Sequence, residues 1–251
     1  MIKLSIAIIT YNEERDIRRC LESVQKVADE VVVVDSFSTD KTKEICEEFN
    51  VKFIEHEFEG YIGQKNYVMA QTSHQHVMSL DADEALSENL IESIQYIKKH
   101  WDGEAYYVNR LNNYCGQWIN FGGWSPDRKI RLFDKDKGMW KGVNPHDRFE
   151  LHSGVKSKML KGPLLHYSYY TIEEHKKKVE QFSTLAAEAM FAKGKRSNIL
   201  RALVSAGFKL FRNYIIKAGF WDGYYGWVIC MLSAKETYLK YRKLTLLQNK
   251  E

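Results

Sequence analysis

An α/β fold is predicted, with a mostly parallel sheet first, an antiparallel extension after it and a helical region at the end. Three observations carry this. Over the first hundred residues short β-branched runs alternate with apolar positions at helical spacing, the pattern of βαβ units. Between Tyr106 and Tyr170 the chain changes to strands and loops rich in Trp, Tyr, Gly and Asn. After Thr171 it turns helical.

Residues 3–10 are apolar and β-branched, the mark of a strand buried on both faces. Asn12 is a candidate cap for the next helix, whose Ile17, Leu21 and Val24 recur at helical spacing. A second buried strand over 31–34 ends at Asp35, and the turn-like run from Ser36 to Asp40 leads to a short helix with Ile45 and Phe49 inward. Residues 51–54 read as a third strand, 64–71 as a helix and 77–80 as a fourth strand. Ser87 then caps a helix bearing Ile91, Ile94 and Ile97 on one face. The cleanest amphipathic segment spans 197–217. It places Leu200, Leu203, Val204, Phe208, Phe211, Tyr214 and Ile215 on one face and Arg201, Lys209 and Arg212 on the other.

The fourth strand delivers two carboxylates, Asp81 and Asp83, at its mouth. With a period of two both point to one side while Ala82 points away. Paired anionic oxygens suit a hard cation, Mg2+ or Mn2+, that keeps positions open for phosphate oxygens. In parallel sheets ligands bind beyond the carboxyl ends of the strands. Thr10, Asn12, Asp35, Asp81 and Asp83 all sit at such ends in this reading, so they converge.

The four cysteines, Cys20, Cys46, Cys115 and Cys230, are scattered and read as small core residues in a reducing compartment, not as a disulfide frame or zinc site. The opening run is too short and β-branched for a signal peptide, and no run of 18 apolar residues exists for a spanning helix. A cytoplasmic location is expected. Charge is uneven: residues 193–251 hold 12 Lys/Arg against three Asp/Glu, a net +9, while the whole chain is +4. A basic tail on a faintly acidic body points to an anionic surface as the tail's partner.

Three motifs occur in order: Ser5-Ile-Ala-Ile-Ile-Thr-Tyr-Asn-Glu-Glu14, Val32-Val-Val-Asp-Ser-Phe-Ser-Thr-Asp-Lys-Thr42 and Leu80-Asp-Ala-Asp-Glu84. Together they resemble glycosyltransferase family 2, inverting enzymes of GT-A fold with a Rossmann-like nucleotide-sugar domain. Arg128-Lys-Ile-Arg-Leu-Phe133, Trp140-Lys-Gly-Val143, Leu164-Leu-His-Tyr-Ser-Tyr169 and Trp221-Asp-Gly-Tyr-Tyr-Gly226 resemble the branch of lipopolysaccharide-core and other envelope-glycan glucosyltransferases.

The resemblance implies a domain plan and roles. Residues 1–105 are the nucleotide-sugar-binding half of a GT-A domain, 106–170 its β-rich acceptor side and 171–251 a basic helical region. Thr10, Asn12, Glu14, Asp35, Lys65, Asn66 and Asp81 are implied at the nucleotide-sugar donor. Asp83 and His166 are implied at Mn2+ or Mg2+. Asp147 is implied as the base that deprotonates the acceptor, replacing the Glu of the related branch's His-Glu pair, with Glu150 in reserve. The implied reaction moves a hexose from a UDP-sugar to a saccharide or lipid-linked acceptor in bacterial envelope glycan assembly.

Each assignment has a plainer rival. Asp35, Ser36, Ser38 and Asp40 also fit an Asx-type turn with a helix cap. His166 also fits a hydrogen-bonded core histidine, and His146 with Asp147 a loop pair. Trp118, Trp124 and Trp140 fit simple packing, Trp124 also sugar stacking. Arg128 and Arg131 fit either phosphate binding or a strand with solvated charges. A sugar nucleotidyltransferase is the rival enzyme, but its Gly-rich phosphate loop with an Arg is missing after the first strand. A catalytically inactive relative that binds membrane or a partner is the rival non-enzyme, and the intact Asp81, Asp83 and Asp147 count against it. The 197–217 helix fits packing on its own domain or, through its basic flank, peripheral contact with the inner face of the cell membrane. No nucleic acid is expected, since no recognised binding module accompanies the charge.

Overall fold

The computed structural model describes residues 1–143 and 146–249, with the side chains of Val143 and His146 also outside the description. In chain order the elements are β1 (Leu4–Thr10), α1 (Ile17–Val24), β2 (Glu30–Asp35), α2 (Thr42–Glu47), β3 (Lys52–Glu55), α3 (Tyr61–Ala70), β4 (His76–Asp81), β5 (Glu84–Leu86) and α4 (Glu88–Lys99). There follow β6 (Ala105–Tyr114), β7 (Gln117–Ile119), β8 (Asp127–Asp134), β9 (Gly138–Val143), β10 (His146–Leu151), β11 (Ser157–Tyr169), α5 (Ile172–Ala192), α6 (Ile199–Phe211) and α7 (Gly223–Gln248).

The sheet runs β3-β2-β1-β4-β8-β6-β11-β5, with β7 paired to β6. Strands β3, β2, β1 and β4 are parallel; β8 joins β4 antiparallel, and β6 joins β8 likewise. β9 and β10 form a separate antiparallel pair. The predicted α/β class, with its antiparallel extension and terminal helices, is therefore what the chain adopts.

All seven residues of β1 are buried, as a central parallel strand covered on both faces requires. The period of two divides them. Leu4, Ile6 and Ile8 join Ile17, Leu21, Val24, Leu90 and Ile94 in one core layer. Ala7 and Ile9 join Val32, Val34, Val68, Phe133 and Trp140 in the other. Full burial of each Val, Leu or Ile side chain contributes ~1.5–3 kcal/mol, so these two layers fix the height at which β1, β2 and β4 end. Ser87 caps α4 as expected, its Oγ accepting from Leu90 N.

Two local expectations fail for physical reasons. Asn12 does not cap a helix: it has φ +52°, and α1 starts only at Ile17. Its side-chain Oδ1 instead accepts from Thr39 N at 2.8 Å, tying two loops together. Nor does β4 carry both carboxylates on one strand face. It ends at Asp81, and Asp83 lies in the turn before β5, where strand periodicity no longer applies.

The chain divides into two compact units, Met1–Arg110 with Asp127–Tyr167, and Leu111–Pro126 with Ser168–Glu251. Residues 111–126 thus group with the C-terminal helices. In this second unit the Asp222 carboxylate accepts from Asn120 N (3.1 Å) and Phe121 N (2.8 Å). Tyr114 is buried among Trp124, Tyr169, His175 and Tyr225, so Trp124 belongs to a packed aromatic cluster. Thr171 opens α5 with a capping box to Glu174. Gly226 is required where α7 meets the turn before it, since a Cβ there would lie 2.0 Å from Gly219 O.

Candidate active site

The site begins at the carboxyl edge of the parallel strands. Register places Thr10 beside Asp35 and Ile9 beside Asp81. With neighbouring strands ~4.8 Å apart, Asp35 and Asp81 flank β1 at roughly 10 Å. Thr10 Oγ1 is buried between them without a hydrogen-bond partner among the described residues.

Two loops extend this edge. Asp35 is buried and its carboxylate accepts from Ser38 N and Ser38 Oγ, the Asx-type turn. Ser38 Oγ in turn accepts from Asn12 N at 2.7 Å. Glu14 N donates to Asp40 Oδ2 at 3.0 Å, while Glu14 Oε2 accepts from Lys41 N at 3.1 Å. Asn12, Glu14 and Asp35 are thereby locked into one hydrogen-bonded platform.

Helix α3 brings a cation to the edge. Gln64 Nε2 donates to Ser36 Oγ at 3.0 Å, anchoring the helix to the second loop. The next residue, Lys65, is buried, with Nζ 3.0 Å from Asp81 Oδ1 and 2.8 Å from Asp147 Oδ2. Its ammonium also stands 4.6 Å from the centre of the Trp140 ring. Asn66 holds that tryptophan in place. Its Nδ2 donates to Trp140 O and its Oδ1 accepts from Trp140 N, both at 3.0 Å. The Asn66 amide thus grips backbone rather than facing the edge.

Asp81 has a second cation. Arg131 Nη2 donates to Asp81 Oδ2 at 2.9 Å and to Glu84 Oε1 at 2.5 Å, and Glu84 Oε2 accepts from Asp81 N at 3.0 Å. Burial alone would raise the Asp81 pKa, but Lys65 and Arg131 outweigh it and hold the carboxyl far below the usual carboxylate range. Burial would lower Arg131, yet Glu84 and Asp81 push its pKa above the ordinary guanidinium value. Arg110 completes the array, pairing with Asp127 at 2.8 Å. Arg131 Nε and Nη1 and Trp140 Nε1 are buried without partners among the described residues.

Asp83 meets a different neighbour. Register between β11 and β5 sets His166 opposite Glu84, which brings His166 Nε2 to 3.2 Å from Asp83 Oδ2. Burial opposes ionisation of Asp83, but the His166 contact holds its pKa below the ordinary value. Asp83 Oδ1 is buried and without a partner among the described residues. No group of three or more His, Cys, Asp or Glu among the described residues is arranged around a metal position. Two ligands, a carboxylate oxygen and an imidazole nitrogen, nevertheless fit Mg2+ or Mn2+, which take their remaining positions from water and phosphate. The orphaned Oδ1 is the observation that favours the fit.

Lys65, Asp81, Arg131, Trp140 and Asp147 line a cavity of about 580 Å3. Asp147 faces Gly142 across the β9–β10 pair. Glu150, three positions on, falls on the other face of the strand and accepts from the Arg148 guanidinium at 2.6 and 2.8 Å. The structure therefore gathers Asp81, Lys65 and Asp147 at one cavity, Asp83 and His166 beside it, and Thr10, Asn12, Glu14 and Asp35 along the adjoining edge. Asn144 and Pro145, which precede the His146–Asp147 pair, lie outside the described residues. Sequence reasoning passed over Glu84 and Arg110 and left Arg131 open. For Glu84 a signal existed, in the acidic residue that closes Leu80-Asp-Ala-Asp-Glu84.

Comparison with known proteins identifies the family. The family model described as "Glycosyl transferase family 2" matches residues 5–161. An uncharacterised glycosyltransferase of Rickettsia typhi is 30% identical over 254 residues, spanning 97% of this chain and 87% of that protein. The lipopolysaccharide core biosynthesis glycosyltransferase LpsC of Rhizobium meliloti is 28% identical over 255 residues, 97% of this chain and 92% of that one. Among solved structures, S. aureus TarS 1–349 in complex with UDP aligns with TM-score 0.46 and 15% identity over 99% of this chain and 92% of that chain. With more than half its length matched by the family model, the chain belongs to glycosyl transferase family 2 and is an enzyme of sugar transfer.

Proposed function

We propose that the enzyme moves a hexose, with inversion, from a UDP-sugar to a saccharide or lipid-linked acceptor in bacterial envelope glycan assembly. The similarity to LpsC supports the envelope assignment. One observation carries the chemistry: a buried ammonium, Lys65, shared by the strand-end carboxylate Asp81 and the carboxylate Asp147 in one cavity.

In this reading the uridine lies along the platform of Asp35, Asn12 and Glu14, with Thr10 Oγ1 free to bond the nucleotide. The diphosphate lies over Asp81 and Asp83. Asp83 and His166 would hold a divalent cation, which would supply Lewis acidity toward the departing diphosphate. Lys65 offers its positive charge to the same phosphates, competing with its hold on Asp147. Asp147, relieved of that partner, takes the proton from the acceptor hydroxyl as its oxygen bonds to the anomeric carbon. The bond from that carbon to phosphate breaks on the opposite side, and the electron pair leaves with UDP. General-base assistance of this kind contributes typically 10²–10⁴-fold to rate. Asn66 acts as a positioning residue through Trp140. Arg131 and Glu84 keep Asp81 ionised and oriented. The enzyme meets a lipid-linked acceptor at the inner face of the cell membrane, a location its basic C-terminal helices support.

A thermal-shift screen of UDP-, GDP- and dTDP-sugars with and without Mn2+ tests the donor assignment. Stabilisation by UDP-sugars that grows with Mn2+ is expected. An equal response to all three nucleotides, indifferent to Mn2+, would remove it.

A further inference from the structure

We infer that the outer face of α6, together with the aromatic turn that follows it, is a lipid-binding surface that seats the protein on an anionic bilayer with α6 lying in the interface. This deepens the membrane location proposed above, and it rests on the second unit alone.

The inner face of α6 is satisfied. Ala202 is buried, the helix packs against α7, and Asn213 just past its end is buried too. Its opposite face is bare. Leu200 (67% exposed), Val204 (63%), Phe208 and Phe211 follow one another at steps of four and three, with Leu203 beside Val204 and Ile215 one turn past the helix end, forming a single outward stripe. Past the end of α6, Trp221 (70% exposed), Tyr224 and Trp227 continue the exposed apolar surface. At on the order of 100 Å2 each, these nine side chains expose about 900 Å2, above the roughly 300–600 Å2 of the largest patch on an ordinary monomer. Such a face is an interaction site.

Charge says what covers it. Arg201 and Arg212, three turns apart, run along one flank of the stripe, and Lys217 follows it. Lys193, Lys195 and Arg196 precede the helix, and residues 193–251 carry a net +9. A second copy would set one such basic rim against another across a two-fold axis, where like charges repel. An anionic headgroup layer neutralises the same rim, while the stripe enters the acyl boundary and Trp and Tyr settle at headgroup level. No helix among the described residues is long and apolar enough to cross a membrane, so the contact is interfacial rather than spanning.

The test is flotation of the full chain with vesicles of phosphatidylcholine alone or with 30% phosphatidylglycerol, at low and high salt. Binding to the anionic vesicles that weakens in high salt is expected. Leu203→Glu with Phe208→Glu should lower partitioning at least ten-fold, and Arg201→Gln with Arg212→Gln about five-fold for each charge lost. Leu203, Phe208 and Arg201 are exposed and Arg212 is half-buried, and unchanged circular dichroism and melting would confirm that both variants fold. Undiminished flotation of the folded Glu variant would overturn the inference. So would sedimentation showing a wild-type dimer that these changes split, with no vesicle binding. The catalytic reading is separated by a second readout. The Glu variant should keep turnover on a water-soluble acceptor saccharide and lose it only on acceptor embedded in vesicles. Salt-sensitive flotation without any sugar transfer would uphold the lipid surface and count against the catalytic reading alone.

Discussion

Lys65 Nζ stands 2.8 Å from Asp147 Oδ2, joining residues 82 positions apart, and the same ammonium reaches Asp81 Oδ1 at 3.0 Å. One buried cation therefore links the end of a parallel strand to the antiparallel β9–β10 pair. It compensates the Asp147 carboxylate and shares compensation of Asp81 with Arg131.

Lys65→Met should cost stability as well as activity. Removing one partner of a buried ion pair costs about 3–5 kcal/mol, and partial water access at Asp81 and Asp147 reduces this to about 2 kcal/mol. Urea denaturation at neutral pH measures it. A loss below about 0.5 kcal/mol would mean the two carboxylates are solvated without the lysine.

Asp147→Asn preserves shape and removes the base. Turnover should fall by about 10²–10⁴-fold, with UDP affinity changed by no more than about two-fold on calorimetric titration. Glu150→Gln, on the other strand face, should leave turnover within about two-fold. Reversal of these two outcomes would move the base to Glu150.

His166→Ala should abolish the Mn2+-dependent part of UDP binding while leaving the metal-free melting temperature within about 2 °C. Its Nε2 lies 3.2 Å from Asp83 Oδ2, on the same carboxylate as the orphaned Oδ1. Retention of full Mn2+ enhancement in the variant would take His166 out of the metal shell.

Acid should destabilise the second unit through His175. Its Nδ1 lies 3.0 Å from the Tyr114 hydroxyl, and burial, aided by the Lys178 charge, lowers its pKa to about 4 from 6.5. The unfolded chain binds the proton first as pH falls. Stability from this residue is therefore full above about pH 6.5 and is lost as pH drops toward about 4, by about 2.5 kcal/mol between pH 7.5 and 4.5. His175→Phe should remove that share of the pH slope in urea denaturation. An unchanged slope would contradict the buried neutral imidazole.

Much of this was legible in the chain, where local rules decide the outcome. The unbroken apolar run of β1 announced a strand covered on both faces, Ser87 announced its helix, and Asp35 and Asp81 announced strand ends on one edge. Legibility stopped where partners are remote. Nothing near Lys65 specifies Asp147, and nothing near Asn120 specifies the Asp222 carboxylate that ties 111–126 to the C-terminal helices. Asn12 misled because a residue suited to capping is equally suited to positive φ, and a loop partner at Thr39 took its side chain. The 197–217 stripe was visible, but periodicity marks a face without saying what lies against it. Only the exposure of Leu200, Val204 and Phe208 shows that the protein itself does not cover it.

The most direct measurement is a crystal structure of the chain with UDP and Mn2+. The account predicts uridine beside Asp35, the cation between Asp83, His166 and the diphosphate, and Lys65 within hydrogen-bond distance of a phosphate oxygen. Nucleotide bound away from that edge, or a metal site that omits Asp83, would contradict it.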